Sequence, residues 1–226
     1  MRYKILLLVL SLFLAFCGYT QSGPSTWIEL EFSKKIVKNL KVEFNPELRL
    51  FGNFKMDTYI LEGGLSYKLH EYLTVAGYYR YENEYDYKKI TGEYKGQKPS
   101  NRIAFDAKSG FDLNRFNFQF RLRYTNGADF DQATNDKASY FRYRAKIDYN
   151  IKGSKLVPFT SAEAFHDLIE KQIDKMRYTV GLIYPINNNN EISLFYRLQD
   201  YIEPSDYVGD KKVSMNIIGI GYSLKF

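Results

Sequence analysis

The sequence predicts an all-β fold, a transmembrane antiparallel up-and-down β-barrel of about 10 to 12 strands. Three observations support it: apolar and polar residues alternate, connection lengths are sorted, and aromatic residues are unusually common. The 226 residues include 21 tyrosines and 17 phenylalanines, while the mean hydropathy is negative at -0.42. This composition suits strands with one apolar face, because membrane-spanning helices need about 20 consecutive apolar residues.

The N-terminal segment has the layout of a secretory signal peptide. Arg2 and Lys4 form a positively charged start, and a short Leu-rich core follows over residues 5–15. We therefore assign residues 1–20 to a cleaved signal peptide and residues 21–226 to an outer-membrane β-barrel. The predicted localisation is the bacterial outer membrane.

Cys17 offers an alternative, a lipoprotein signal, but the bulky Phe16 before it disfavours lipid attachment. Ordinary cleavage removes the only cysteine, which excludes disulfides and thiolate chemistry from the mature chain. It also leaves 30 basic against 26 acidic residues, a mild excess. We expect no nucleic-acid binding, because that function needs clustered basic residues.

The alternation is clearest in RFNFQFRLRY, residues 115–124, where aromatic or leucine side chains take every second position. Such a period of two indicates a strand with one apolar and one polar face. In chain order, the strand candidates are residues 27–33, 40–51, 57–68, 72–82, 101–108, 115–124, 140–149, 156–166, 177–185, 191–199 and 217–226. Bacterial barrels have even strand numbers. We therefore expect 10 or 12 strands, with one strand missed or residues 27–33 incomplete.

The connections fall into two classes of length. Short ones occupy residues 68–71, 108–114, 150–155 and 185–190, and long polar ones occupy residues 84–99, 126–139, 167–175 and 200–212. Outer-membrane barrels have short periplasmic turns and longer outer loops. Residues 164–176 carry apolar side chains near a helical repeat, which predicts a short amphipathic helix in an outer loop.

The alternation also predicts which side chains face the interior. Turned outward, the apolar faces meet lipid, and aromatic residues at strand ends form girdles. The predicted girdle residues are Trp27, Tyr67, Tyr72, Tyr124, Tyr149, Tyr184 and Tyr201. The polar faces then form a network of paired charges in the lumen, made of Glu43, Glu47, Arg49, Glu62, Arg80, Glu82, Arg121, Arg123, Arg142, Arg144, Glu163 and Arg197.

The sequence offers little catalytic chemistry. Its two histidines are His70, in a predicted turn, and His166, near Ser161 and Glu163 at the predicted outer rim. We expect no enzyme, no metal site and no cofactor. Two alternatives stay open: a rim-located lipid hydrolase that uses His166 as general base, and a soluble periplasmic barrel that binds a lipophilic ligand.

The C-terminal GIGYSLKF resembles the β-signal read by the outer-membrane barrel-assembly machinery. Gly221, Tyr222, Leu224 and Phe226 match that pattern, and Gly219 stands where a polar residue is usual. The resemblance implies the assembly machinery as a partner. The predicted loop 84–99 contains Lys88, Lys89, Lys95 and Lys98. We therefore expect lipopolysaccharide phosphates as a further partner, in addition to outer-membrane lipids.

Further short motifs resemble a family of uncharacterised outer-membrane β-barrels of Gram-negative bacteria with a domain-of-unknown-function label. They are Trp27, KKIVKNL, PELRLF with Glu47 and Arg49, YYRYE around Arg80, and VPFTSAEAF with Glu163. The resemblance implies a barrel over most of residues 25–226 and no known activity. We expect a monomer with a structural, small-solute channel or partner-anchoring role.

Overall fold

The computed structural model describes residues 24–88, 92–129, 138–202 and 214–226. The predicted signal peptide and Cys17 lie outside the described residues. Within these ranges, eleven strands form one closed barrel. In chain order they are β1 (Ser25–Val37), β2 (Leu40–Leu50), β3 (Met56–His70), β4 (Leu73–Tyr87), β5 (Tyr94–Leu113), β6 (Phe116–Asp129), β7 (Ala138–Tyr149), β8 (Val157–Asp167), β9 (Gln172–Pro185), β10 (Asn190–Tyr201) and β11 (Met215–Lys225).

Each strand pairs antiparallel with its neighbours in sequence, as the up-and-down prediction requires. The barrel closes differently, because β1 and β11 pair in parallel, from Ser25 opposite Ile217 to Ser33 opposite Lys225. An odd number of up-and-down strands forces this arrangement, since the first and last strands then run in the same direction. Eleven lies within the predicted range of 10 to 12 strands, but the expectation of an even number is wrong, and β1 is a full strand of 13 residues.

The connections are shorter than the sequence suggests at two of the four predicted long loops. Most of residues 84–99 belongs to β4 and to β5, which has 20 residues. Residues 168–171 form only a tight turn, in which Asp167 Oδ1 accepts hydrogen bonds from the amides of Ile169 and Glu170 at 2.7 and 3.2 Å. The predicted helix over 164–176 is thus wrong, because strand pairing on both sides extends the backbone.

The other two predicted long loops fall partly outside the described residues, at 130–137 and 203–213. We call the end of the barrel that carries these connections the loop end. The opposite end, the turn end, carries the connections 38–39, 71–72, 114–115, 150–156 and 186–189. Asn39 and Asn114 have positive φ angles of 73° and 56° there, a conformation that asparagine tolerates in tight turns.

The burial of side chains is inverted relative to a soluble protein. On β6, Arg123 is 4% exposed, whereas its neighbours in the apolar series, Phe120 and Leu122, are 48% and 41% exposed. The same alternation places Glu62 inside and Leu65 outside on β3. The predicted orientation is therefore confirmed: charged side chains fill the barrel and apolar side chains cover it. Among the described residues, no helix is long and apolar enough to cross a membrane.

Candidate functional site

The candidate site is the charged interior, by which we mean the inward-facing ionisable side chains of the barrel and the aromatic rings among them. All twelve residues of the predicted network occupy inward-facing positions of their strands, as the alternation of side chains across a strand requires. The structure divides them into several local clusters. Each cluster joins side chains from strands that are not neighbours.

Arg123 is the centre of the most buried cluster. Its Nε and Nη2 atoms donate to the two oxygens of Asp106 at 2.6 and 2.9 Å, a bidentate pair between neighbouring strands. Its Nη1 atom reaches Glu62 on β3 at 3.0 Å, and Arg80 Nε donates to the same carboxylate at 2.8 Å. Two arginines and two carboxylates therefore balance one another across four strands, β3 to β6. Such pairing is needed, because burying a charge without a partner costs roughly several kcal/mol of stability.

Glu163 on β8 is the centre of a second cluster with a different balance. Arg121 Nη2 lies 2.6 Å from Glu163 Oε1, and Arg142 Nη2 lies 3.0 Å from the same oxygen. Arg177 Nη1 is 3.9 Å from Oε2. Arg144 stands opposite Glu163 in the strand register, yet it has no hydrogen bond or ion pair with any described residue. Four guanidinium groups therefore surround one carboxylate, and the wall formed by β6–β9 carries an excess of positive charge.

A third cluster joins β2–β5 towards the turn end. Ser66 and Tyr78 donate hydrogen bonds to the carboxylate of Glu43. Lys108 Nζ donates to the Tyr78 hydroxyl at 2.6 Å and lies 3.6 Å from Glu43 Oε2. The Tyr78 ring lies over Gly64, where a Cβ atom would stand 2.4 Å from the ring. A buried tyrosine thus finds partners for its hydroxyl inside the barrel.

Trp27 forms the fourth cluster and corrects a prediction. It is 2% exposed and lies inside the barrel, not in an outer girdle. The guanidinium carbons of Arg49, Arg197 and Arg177 lie 4.0, 5.0 and 5.1 Å from its ring centroid. Cation–π contacts with desolvated arginines are worth about 2 kcal/mol each. The prediction failed because side chains two residues apart share a face of a strand, and Glu29, two residues after Trp27, faces the interior.

The carboxylates around this tryptophan belong to the same cluster. Arg49 Nε donates to Glu47 at 2.7 Å, and Arg197 Nη1 donates to Glu29 at 2.8 Å. Arg177 Nε donates to Gln199 at 2.6 Å. Phe165, on β8, is a second interior ring, with Lys175, Arg142 and Arg177 at 4.2, 4.5 and 4.7 Å from its centroid. Two aromatic rings thus separate like charges that would otherwise face one another.

The remaining predicted positions are at the ends of the barrel. Glu82 lies 3.6 Å from Arg102 near the loop end. Tyr201, predicted in the outer girdle, instead faces the interior, because its hydroxyl accepts a hydrogen bond from Gln199 at 2.6 Å. At the C-terminus, Gly221 faces inward, Tyr222 and Leu224 face outward, and Phe226 is 67% exposed beyond the end of β11.

The outer face carries aromatic groups at both ends. Near the loop end, the rings of Tyr59, Tyr81, Tyr85 and Tyr94 contact one another at 5.9–6.3 Å. Near the turn end, neighbouring contacts of 4.8–6.4 Å join Phe111, Phe116, Phe118, Phe120 and Tyr149. Tyr67, Tyr72 and Tyr184 are also exposed at the turn end, as predicted. The surface between them is largely aliphatic and aromatic.

His166 lies on the wrong face for the hydrolase hypothesis. Glu163 and Phe165 point into the barrel, whereas His166 points outward and stacks on Tyr143 with ring centroids 6.4 Å apart. Ser161 shares the inward face of β8 with Glu163. The wall of the barrel therefore separates the His166 imidazole from Ser161 and Glu163, the residues that the hydrolase hypothesis places beside it.

Three lysines of the β4–β5 hairpin have carboxylate partners. Lys88 lies 2.7 Å from Glu93, and Lys98 and Lys95 lie 3.4 and 3.5 Å from Asp86. Lys89 lies outside the described residues. These pairs reduce the charge offered to lipopolysaccharide phosphates, so the hairpin is less basic than its sequence suggests.

Several interior residues were not anticipated from the sequence, notably Glu29, Tyr78 and Lys108. The alternation offered a signal for Tyr78, which lies in phase with Arg80 and Glu82 on β4, whereas no residue of the predicted network lies on β1 or β5. What it does not reveal is which strands meet across the interior. Among the described residues, no group of three or more His, Cys, Asp or Glu side chains is arranged to hold a metal ion.

Comparison with known proteins adds a family relationship. The model of the family described as "Protein of unknown function (DUF2490)" matches residues 25–205, which spans β1 to the end of β10. No curated protein matches the chain.

Proposed function

We propose that this chain, which belongs to the DUF2490 family of proteins of unknown function, is an integral outer-membrane β-barrel with an occluded interior. In this proposal its role is structural, or it anchors a partner complex at the membrane. The observation that carries the proposal is the inversion of burial, with charges inside and large apolar side chains outside.

The outer face supports a lipid environment. Leu65 on β3 and Ile103 and Phe105 on β5 are 53%, 51% and 57% exposed. In water, such a continuous apolar surface would favour aggregation or a large interface. In a bilayer it faces hydrocarbon, and the aromatic groups at the two ends lie at the headgroup level. The soluble alternative, with a lipophilic ligand inside, is disfavoured because the interior is charged.

The interior supports occlusion. Arg123 reaches from β6 to Glu62 on β3, and Lys108 reaches from β5 to the cluster around Glu43 on β2. Trp27 and its three arginines fill the region between β1, β2, β9 and β10. A continuous water path along the axis would have to pass these contacts, which are themselves the partners that stabilise the buried charges.

A small-solute channel is the second candidate, and the arginine excess on the β6–β9 wall favours it. Pores that select ions expose an excess of one charge at a constriction. Conductance measurements separate the two roles. Folded protein in planar bilayers should show no discrete conductance steps if the interior is occluded. Reproducible anion-selective steps would contradict occlusion and favour the channel.

The location is tested first, by fractionating bacterial cells and comparing gel mobility with and without heating. We expect a band in the outer-membrane fraction whose mobility shifts on heating, because folded barrels resist detergent. A band confined to the soluble periplasmic fraction would contradict the proposal. Under the same proposal, the barrel-assembly machinery inserts the chain as a monomer, and Gly221, Tyr222, Leu224 and Phe226 form its signal. Deleting Phe226 should then reduce the heat-shifted band.

A further inference from the structure

Three cationic side chains stand side by side on adjacent strands near the turn end. In the strand register, Lys108 on β5 is opposite Arg121 on β6, and Arg121 is opposite Arg144 on β7. All three occupy inward-facing positions. Like charges directly opposite each other on neighbouring strands destabilise a sheet. This arrangement therefore calls for a compensating negative charge.

The carboxylates near this row do not supply that charge in full. Arg121 uses Nη2 to reach Glu163, while its Nε atom is buried and has no hydrogen-bond partner among the described residues. Lys108 donates a hydrogen bond to the Tyr78 hydroxyl at 2.6 Å and forms ion pairs with Glu43 and Asp106 at 3.6 and 3.9 Å, both longer than a hydrogen bond. Arg144 has no ion pair or hydrogen bond within the described part of the chain.

A cavity of about 210 Å³ lies at this row. Its lining includes Lys108, Arg121 and Arg144, together with Thr74, Gln119 and, at the turn between β3 and β4, Glu71. The volume suits a small ion with its hydration water. Thr74, Lys108, Gln119, Arg121 and Arg144 occupy inward-facing positions of their strands, whereas Tyr72 and Phe120, which also line the cavity, belong to the outer face.

From these observations we propose that the cavity is a binding site for a small free oxyanion, with phosphate as the model ligand. The guanidinium groups of Arg144 and Arg121 and the ammonium group of Lys108 bind its oxygens, and Thr74 and Gln119 offer further polar contacts. Arginine suits this task because its planar fork matches the geometry of phosphate and carboxylate oxygens. The inference rests on the barrel interior alone and is independent of the proposed location.

The test is an isothermal titration of the folded full chain in nonionic detergent with sodium phosphate. Sodium chloride of equal ionic strength is the blank, and short-chain phosphatidate is a separate titrant. Wild-type protein should bind phosphate above the chloride response. Arg144→Gln should weaken that binding by about tenfold or more, because a charge-assisted contact is lost. Arg144→Lys should retain most of it, since the charge remains.

Arg102→Gln is the matched control, because it also removes one inward arginine from the barrel, at a position nearer the loop end. Its phosphate affinity should stay within about twofold of wild type, since Arg102 does not line the cavity and lies six residues from Lys108 along β5. Arg144→Gln should also unfold at a higher temperature than wild type in phosphate-free buffer, as repulsion is relieved. An unfolding temperature at or above that of wild type would show that the variant is folded, so that lost phosphate binding does not come from lost folding.

Three results would overturn the proposal. One is a phosphate response no larger than that of chloride at equal ionic strength. Another is an equal loss of affinity in Arg144→Gln and Arg102→Gln. The third is a response to phosphatidate alone, which would assign the contacts to a lipid headgroup.

Discussion

At the scale of single residues, the pairing of Glu62 with Arg123 and Arg80 neutralises charges that are buried inside the barrel. Glu62 and Arg123 are each 4% exposed, and Glu62 accepts from both arginines. Removing one member of a buried pair leaves an uncompensated charge in a region that water reaches poorly. That loss is more costly than the loss of an ion pair at the surface.

We therefore expect Glu62→Gln to lower the free energy of unfolding by about 3–5 kcal/mol. The measurement is urea unfolding in lipid vesicles, followed by tryptophan fluorescence. Glu191→Gln is the matched control, because Glu191 pairs with Lys225 at 4.0 Å and both side chains are largely exposed. It should change stability by about 1 kcal/mol or less. Equal effects of the two substitutions would show that the interior cluster contributes no more than a surface pair.

At the scale of elements, close packing between β10 and β11 depends on glycine. The inward ring of Phe195 lies over Gly219, its partner in the register, and a Cβ atom at Gly219 would stand 2.0 Å from that ring. This contact explains why a glycine, and no larger residue, occupies this position. The ring fills space near the parallel seam between β1 and β11, where pairing is slightly weaker per residue.

Gly219→Ala should destabilise the barrel by about 1–3 kcal/mol, because the added methyl group overpacks the site. Gly63→Ala is the control, since a Cβ atom at Gly63 meets nothing closer than 4.0 Å and both glycines lie in strands. Replacing a strand glycine by alanine, where the added methyl group meets no neighbour, should leave stability unchanged or raise it by about 0.5–1 kcal/mol. The readout is the urea midpoint of each variant. A larger loss for Gly63→Ala would contradict the packing argument.

At the scale of the whole molecule, the barrel is a charged interior inside an apolar wall, and the wall determines its proposed environment. Leu122 lies in the middle of the outer face of β6, and Leu113 lies at the turn end of β5. Both leucines are exposed, at 41% and 56%. In a bilayer their depths differ, whereas in water the two positions are equivalent.

Leu122→Arg should therefore cost about 2–4 kcal/mol in vesicles, the penalty for arginine near the bilayer midplane, and Leu113→Arg should cost about 0–1 kcal/mol. Unfolding in vesicles measures both values, and the heat-shifted fraction in the outer membrane provides a second readout. If the two substitutions have the same small effect, the apolar wall does not face lipid.

The sequence alone predicted the barrel class, the inward and outward faces, and the inward position of all twelve residues of the charge network. The period of two made this possible, because it is a local property of each strand and needs no knowledge of neighbours. The predictions for Trp27 and Tyr201 were wrong. Their aromatic character suggested an outer girdle, although their positions in the alternation of their strands place them inside. The sequence also predicted a helix at residues 164–176, where strand pairing outweighs a weak helical repeat.

Only the tertiary structure decided which charges meet. Arg123 pairs with Glu62 three strands away, whereas Arg144 stands beside Arg121 and forms no ion pair with a carboxylate in the described part of the chain. Such contacts depend on the number of strands and on their stagger around the barrel, which fix the height of every side chain in the interior. The parallel seam between β1 and β11 has the same origin, since it follows from an odd strand count. Alternation within a strand therefore determined the faces, and closure of the sheet determined the partners.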